Sequence, residues 1–93
     1  MFEQILIRMR DKIRNREYVM TLHAEEEMDE DGVTVYDIER GILTGSILER
    51  QKDRTTGEWK YRIRGETITY GEVEIIVKFG FTGKLIIITV YMP

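Results

Sequence analysis

With 93 residues, no cysteine and a single proline, the chain has room for one small domain with one core, and for neither a disulfide frame nor a thiolate metal site. Hydrophobic residues at 42% and charged ones at 33% are the balance of a folded globular domain, not of a disordered tract. The net charge of −3, from 14 basic and 17 acidic residues, excludes a uniformly basic nucleic-acid binder but leaves room for a local basic patch. Residues 25–31 hold six acids and no base, whereas residues 50–64 hold six bases and two acids. No apolar run approaches the roughly 18 residues a membrane span needs, and "MFEQILIRMRDKIR" mixes charges among its apolar residues, unlike a signal peptide. A cytoplasmic protein without membrane contact is expected.

Phe2, Ile5, Leu6, Met9 and Ile13 recur at helical spacing and predict a helix over about residues 2–15. "EYVMTL" reads as a short extended connector. Thr21 suits the N-cap of a second helix over about 22–31, and Gly32 the left-handed position after it. "VTVYDI" opens a third helix over about 35–43, with Thr34 as N-cap, Asp37 as a short-armed capping-box partner and Val33 stapled onto Ile38. From Ser46 the period changes to two. Strands are expected over about 46–52 and 58–64, joined by "DRTTG", and over about 72–80 and 84–91, joined around "FTG". Short connections between neighbouring strands predict a single α+β domain over residues 1–93. Its N-terminal helices would cover one face of a four-stranded, mostly antiparallel sheet.

Alternation assigns the faces. Trp59, Tyr61 and Ile63 point one way in "EWKYRIR", and Lys60, Arg62 and Arg64 the other. Val73, Ile75, Val77 and Phe79 share a face opposite Glu74, Ile76 and Lys78; Ile86, Ile88 and Val90 suit the buried side of the last strand, leaving Tyr91 outside. Arg50 and Lys52 alternate together in the first strand. A strip of Lys60, Arg62 and Arg64, with Lys78 and Tyr91 near it, then lies open to solvent. Guanidinium forks on a rigid strand suit phosphate, and a tyrosine beside them can stack on a base or donate to phosphate. The same pattern also fits a merely solvated open face. Tyr36, Met28 and Trp59 are expected in the core.

His23 is the only histidine. It suits a general acid or base, or a packed structural role. A metal ion is not expected, because Glu26 or Glu27 would add at most one helix-borne ligand. The acids of residues 25–31 read as a solvated helix face. Glycine-rich phosphate loops, nucleophile elbows and zinc spacings are absent, so no cofactor is expected.

"TLHAEEEMDEDGVTVYDIERGILTGSILERQKD" resembles the motif region of a bacterial family known as domain of unknown function 4258, in its His-Ala helix start, its later Met and its Ile-Leu-x-Gly ending. "GEWKYRIRGET", "EVEIIVKF" and "GKLIIITVY" are similar to that family's strands, so the resemblance covers about residues 4–91. It implies kinship with RelE/ParE/MqsR-type toxins of type II toxin–antitoxin systems, which pack N-terminal helices on an antiparallel sheet. It implies as partners a zinc-finger type antitoxin and RNA or the ribosome, with metal-independent RNA cleavage as the activity. By the same resemblance His23, Arg62, Arg64 and Tyr91 would be catalytic, and the strand cations that alternation singles out, Lys60, Arg50, Lys52 and Lys78, would then bind RNA phosphates. The alternative is a non-catalytic module that holds a protein through its open sheet face or an edge strand.

Overall fold

The computed structural model describes residues 1–93 as three helices and one five-stranded sheet. Helix α1 (Glu3–Arg14) forms on the expected stripe, burying Met9 and Ile13 and packing Phe2, Ile5 and Leu6 against the core. The segment expected as a connector is a strand instead, β1 (Tyr18–Met20). It pairs in parallel with the last strand through Tyr18↔Leu85, Val19↔Ile86 and Met20↔Ile87. Three residues are too few to show an alternation, and their partner lies at the far end of the chain, so no local pattern announces them.

The helix ends follow local chemistry. Thr21 Oγ1 accepts the Ala24 N–H and caps α2 (Leu22–Asp31), and Gly32 ends that helix at φ 67°, a conformation cheap only without a Cβ. At α3 (Val35–Thr44) the capping box is complete: Thr34 Oγ1 accepts the Asp37 N–H at 3.2 Å, and Asp37 Oδ2 accepts the Thr34 N–H at 2.9 Å. Val33 and Ile38 both lie in the core. Asp37 Oδ1 also accepts the Ile68 N–H at 2.9 Å, fastening the start of α3 to a loop of the sheet. At the other end of α3, Arg10 donates from Nη2 to the Gly45 carbonyl at 2.9 Å and from Nε to Ile42 at 3.3 Å, satisfying carbonyls the helix leaves open.

The remaining strands are β2 (Ser46–Lys52), β3 (Trp59–Glu66), β4 (Glu72–Phe79) and β5 (Leu85–Tyr91). They stand in the order β1-β5-β4-β3-β2, antiparallel except for β1, so the sheet is mixed and has five strands where four were expected. Helices α1 and α3 cover one face, and α2 lies along β5. The core between them holds Ile38 and Ile42 against Ile63, Val73, Ile75, Val77, Leu85, Ile87 and Val90. Glycines let α3 come very close to β3: a Cβ on Gly65 would run into the Gly41 backbone.

Two bulges change which side chains face where. In β2, Ile47 pairs with Ile63 and Glu49 with Arg62, so Leu48 is extra and the alternation reverses beyond it. Arg50 and Lys52 therefore pair with Tyr61 and Trp59 on the helix-bearing side, not with the open-face strip. In β5, Val77 pairs with Ile87 and Ile76 with Thr89, so Ile88 is extra. The buried set is Leu85, Ile87 and Val90 rather than the expected Ile86, Ile88 and Val90. Met28 is buried as expected, but Tyr36 and Trp59 are not; they are 63% and 42% exposed.

Candidate functional site: an acid-centred cluster on the open sheet face

Arg62 and Arg64 alternate onto the face of β3 away from the helices, and the β3–β4 register sets Glu74 opposite Arg64. The β4–β5 register sets Tyr91 on the other side of Glu74. All three side chains converge on that carboxylate. Arg62 Nη1 donates to Glu74 Oε1 at 2.8 Å, Arg64 donates to Oε2 from Nε at 2.9 Å and also from Nη2, and the Tyr91 hydroxyl donates to Oε1 at 2.5 Å. Arg62 Nε continues the network to Glu49 Oε1 at 2.9 Å.

Glu74 is only 2% exposed, although no helix covers this side of the sheet. An ionised carboxylate that deep is stable only with good donors around it. The Tyr91 hydroxyl first, and then the two guanidiniums, outweigh burial and hold the Glu74 carboxyl down at about 2. The same hydrogen bond pushes the Tyr91 phenol up from its ordinary value. The site is therefore a fixed anion clasped by two permanent cations and a phenol.

The other expected site residues divide. Lys60 and Lys78 lie on this open face, each beside a carboxylate: Lys60 Nζ is 3.6 Å from Asp53, and Lys78 Nζ is 3.3 Å from Glu58. Arg50 and Lys52 lie on the opposite side, for the reason given by the β2 bulge. His23, with 65% of its side chain exposed, stands on α2 with Nε2 3.2 Å from Glu27 Oε1. The same Glu27 oxygen accepts the Val90 N–H at 3.1 Å, so at least one of the acids of α2 is a fastener rather than a solvated charge. His23 is tethered in this way beside the residue preceding Tyr91, but it touches none of the groups around Glu74. No three His, Asp or Glu side chains are grouped to hold a metal ion.

The residue that alternation alone left without a role is Glu74. Its signal was present: an acid inside the apolar run "VEIIV", one strand away from two arginines. Glu49 was hidden more deeply, because only the bulge at Leu48 turns it towards Arg62.

The class defined by this fold is a small α+β domain with a mixed sheet and a buried, arginine-clasped glutamate on the uncovered face. The chain belongs to the family described as Domain of unknown function (DUF4258), whose model matches residues 20–92, from the end of β1 through β5, leaving α1 outside the match. No curated protein and no solved structure matches the chain.

Proposed function

We propose that the open sheet face is a phosphodiester site and that the protein is a RelE/ParE-like toxin component of a type II toxin–antitoxin pair, acting on RNA without a metal ion. The observation that carries this reading is the convergence of Arg62, Arg64 and Tyr91 on Glu74. A solvated sheet face has no need of a buried anion with three donors, and strongly perturbed carboxyls gather at functional sites.

Each guanidinium has five N–H donors, and two on each are engaged here, so donors remain for a phosphate. Phosphate oxygens that draw the arginines off Glu74 also remove part of what holds its pKa down. The carboxylate then becomes a better base as the substrate binds. Glu74 takes the proton of a 2′-hydroxyl, the 2′-oxygen forms a bond to the neighbouring phosphorus, and the bond to the 5′-oxygen breaks. His23 supplies the proton that the 5′-oxygen needs, and the products are a 2′,3′-cyclic phosphate and a 5′-hydroxyl. Arg62 and Arg64 stabilise the charge that builds on phosphorus, and Lys60 and Lys78 flank it.

The test is incubation of the purified chain with RNA in the presence of a chelator, with end groups read by mass spectrometry. Cyclic phosphate ends are expected, falling at least ~100-fold in rate for Glu74→Gln and Arg64→Ala. Intact RNA with correctly folded wild-type protein overturns the reading.

A second reading has its own support. Every open-face cation is already paired with an acid, and the outer edge of β2 is free beside a groove of about 420 Å³ lined by Phe2, Leu6 and Ile47. A non-catalytic module that adds a partner's extended segment to β2 uses these features. Capture of the neighbouring gene's product, lost on Ile47→Lys and unaffected by Glu74→Gln, would favour it.

A further inference from the structure

Two sets of cations on or over the sheet differ in their partners. Lys60, Arg62, Arg64 and Lys78 on the open face each have a carboxylate within 4.0 Å. Arg8, Arg50 and Lys52, on the helix-bearing side, have none. What these three have instead are aromatic rings. Arg50 Cζ is 4.0 Å and Lys52 Nζ 5.6 Å from the centre of the Trp59 ring, and Arg8 Cζ is 4.2 Å from the centre of Phe79.

The two rings belong together. Tyr61 pairs with Val77, and continuing that register by two residues sets Trp59 across from Phe79 on neighbouring strands. Both stand at the end of the sheet that carries the β2–β3 and β4–β5 turns. Phe81 is fully exposed at the second of these turns, and the open cleft of about 470 Å³ that it lines with Phe79 opens on the Lys78 and Ile86 side of the sheet, beside the Lys78–Glu58 pair. The six acids of residues 25–31 lie on α2, which runs along β5 away from this end, and the two acids of the β2–β3 turn, Asp53 and Glu58, are paired with Lys60 and Lys78.

We propose that this end of the sheet is a binding track for single-stranded nucleic acid, separate from the Glu74 cluster. The planes of Arg8 and Arg50, each backed by an aromatic ring, offer flat cationic platforms to bases, and Phe81 offers a third surface. Lys52 and the outer edges of the guanidiniums meet the phosphates. The bases of a duplex are stacked on one another and cannot reach such platforms. An acidic polypeptide satisfies the cations but makes no use of the rings. Charge and stacking together select an unpaired strand.

Trp59 is the chain's only tryptophan, so its emission reports on this track and on no other surface. The probe is a short 2′-O-methyl oligonucleotide, which binds but cannot be cleaved. Saturable quenching of Trp59 is expected, with log Kd depending on log salt with a slope of about 2, from three cations at ~0.7 each. Joint replacement Arg50→Ala and Lys52→Ala should weaken binding by about ten-fold or more and flatten the salt dependence. Phe81→Ala should weaken it by about ten-fold with an unchanged melting temperature, because that ring contributes nothing to packing. Arg40→Ala, beside Glu66 at the opposite end of β3, should bind as the wild type does. Absent quenching, full binding by the Arg50/Lys52 variant, or equal quenching by polyglutamate of matching charge would each overturn the track. The outcome is independent of the cleavage reading. Quenching without hydrolysis of ordinary RNA upholds the track and removes the Glu74 mechanism, and hydrolysis without quenching does the reverse.

Discussion

Glu74 and Tyr91 are register partners on β4 and β5, and the tyrosine hydroxyl reaches the buried carboxylate at 2.5 Å. That one contact does more than either arginine to hold the carboxyl ionised. Tyr91→Phe deletes it while keeping the ring. The carboxylate stays buried with one donor fewer, at a cost of about 1.5–3 kcal/mol for a hydrogen bond to a charged group. The Glu74 pKa should rise from about 2, which carboxyl carbon NMR can follow. An unmoved titration would mean that the arginines alone hold the charge.

The same carboxylate makes stability depend on pH. Its folded pKa of about 2 lies below the ordinary 4.5, so the stabilisation is present in full above the ordinary value and is lost as the pH falls towards 2. Urea denaturation of wild type and Glu74→Gln should therefore differ most near neutrality and converge on acidification. Some acid sensitivity should survive in the variant. Burial pushes the Asp37 carboxyl up, yet hydrogen bonds from Thr34 and the Ile68 N–H outweigh it and hold it below its usual range. A constant gap between the two proteins from neutral to acid pH would show that Glu74 is not ionised in the fold.

Asp37 also yields a stability prediction. Its two oxygens serve the helix cap and the β3–β4 loop at once, so Asp37→Ala removes the box and orphans the Ile68 N–H together. A loss of about 2–3 kcal/mol is expected, from roughly 1 for a cap and 1–2 for a buried donor left unpaired. Thr34→Ala leaves the Ile68 contact intact and should cost about half as much in the same denaturation experiment.

The cap residues were legible in the sequence because a cap is local: Thr21, Gly32, Thr34 and Asp37 lie within a few residues of what they bind. The faces of β3 and β4 were legible for the same reason, since alternation within a strand needs no knowledge of its partner. What escaped was relational. Leu48 and Ile88 are bulge residues only with respect to strands β3 and β4, and each reverses the alternation beyond itself. That reversal moved Arg50 and Lys52 off the open face and gave Glu49 to Arg62. Strand β1 escaped because its partner is at the other end of the chain. The arginine pair of the candidate site was thus visible from one strand, whereas the glutamate at its centre needed the register of three.

Gly65 tests the packing of α3 on β3. No side chain fits between it and the Gly41 backbone, so Gly65→Ala must push the helix off the sheet or distort the strand carrying Arg64. Overpacking of this kind typically costs 1–3 kcal/mol, and here the obstacle is backbone, so about 3 kcal/mol or more is expected. Gly57→Ala is the control: it meets no atom within 4 Å and bears only the strain of φ 74°, so its melting temperature should fall much less.

Glu27 decides whether His23 is fixed or free. Its Oε1 accepts the Val90 N–H and lies beside the His23 imidazole, so one side chain joins α2 to the edge of β5 where β1 has ended. Glu27→Gln keeps an oxygen for Val90 and should leave its amide protected from hydrogen exchange. Glu27→Ala removes the acceptor, leaves the N–H of Val90 without its partner, and should speed that amide's exchange by roughly ten-fold or more, in line with a loss of 1–3 kcal/mol. If both variants exchange like the wild type, Glu27 does not hold the helix, and His23 is not delivered to the strand end that carries Tyr91. If only the alanine variant opens, His23 is positioned by a neutral-tolerant hydrogen bond and not by an ion pair, and salt should leave that amide's protection unchanged.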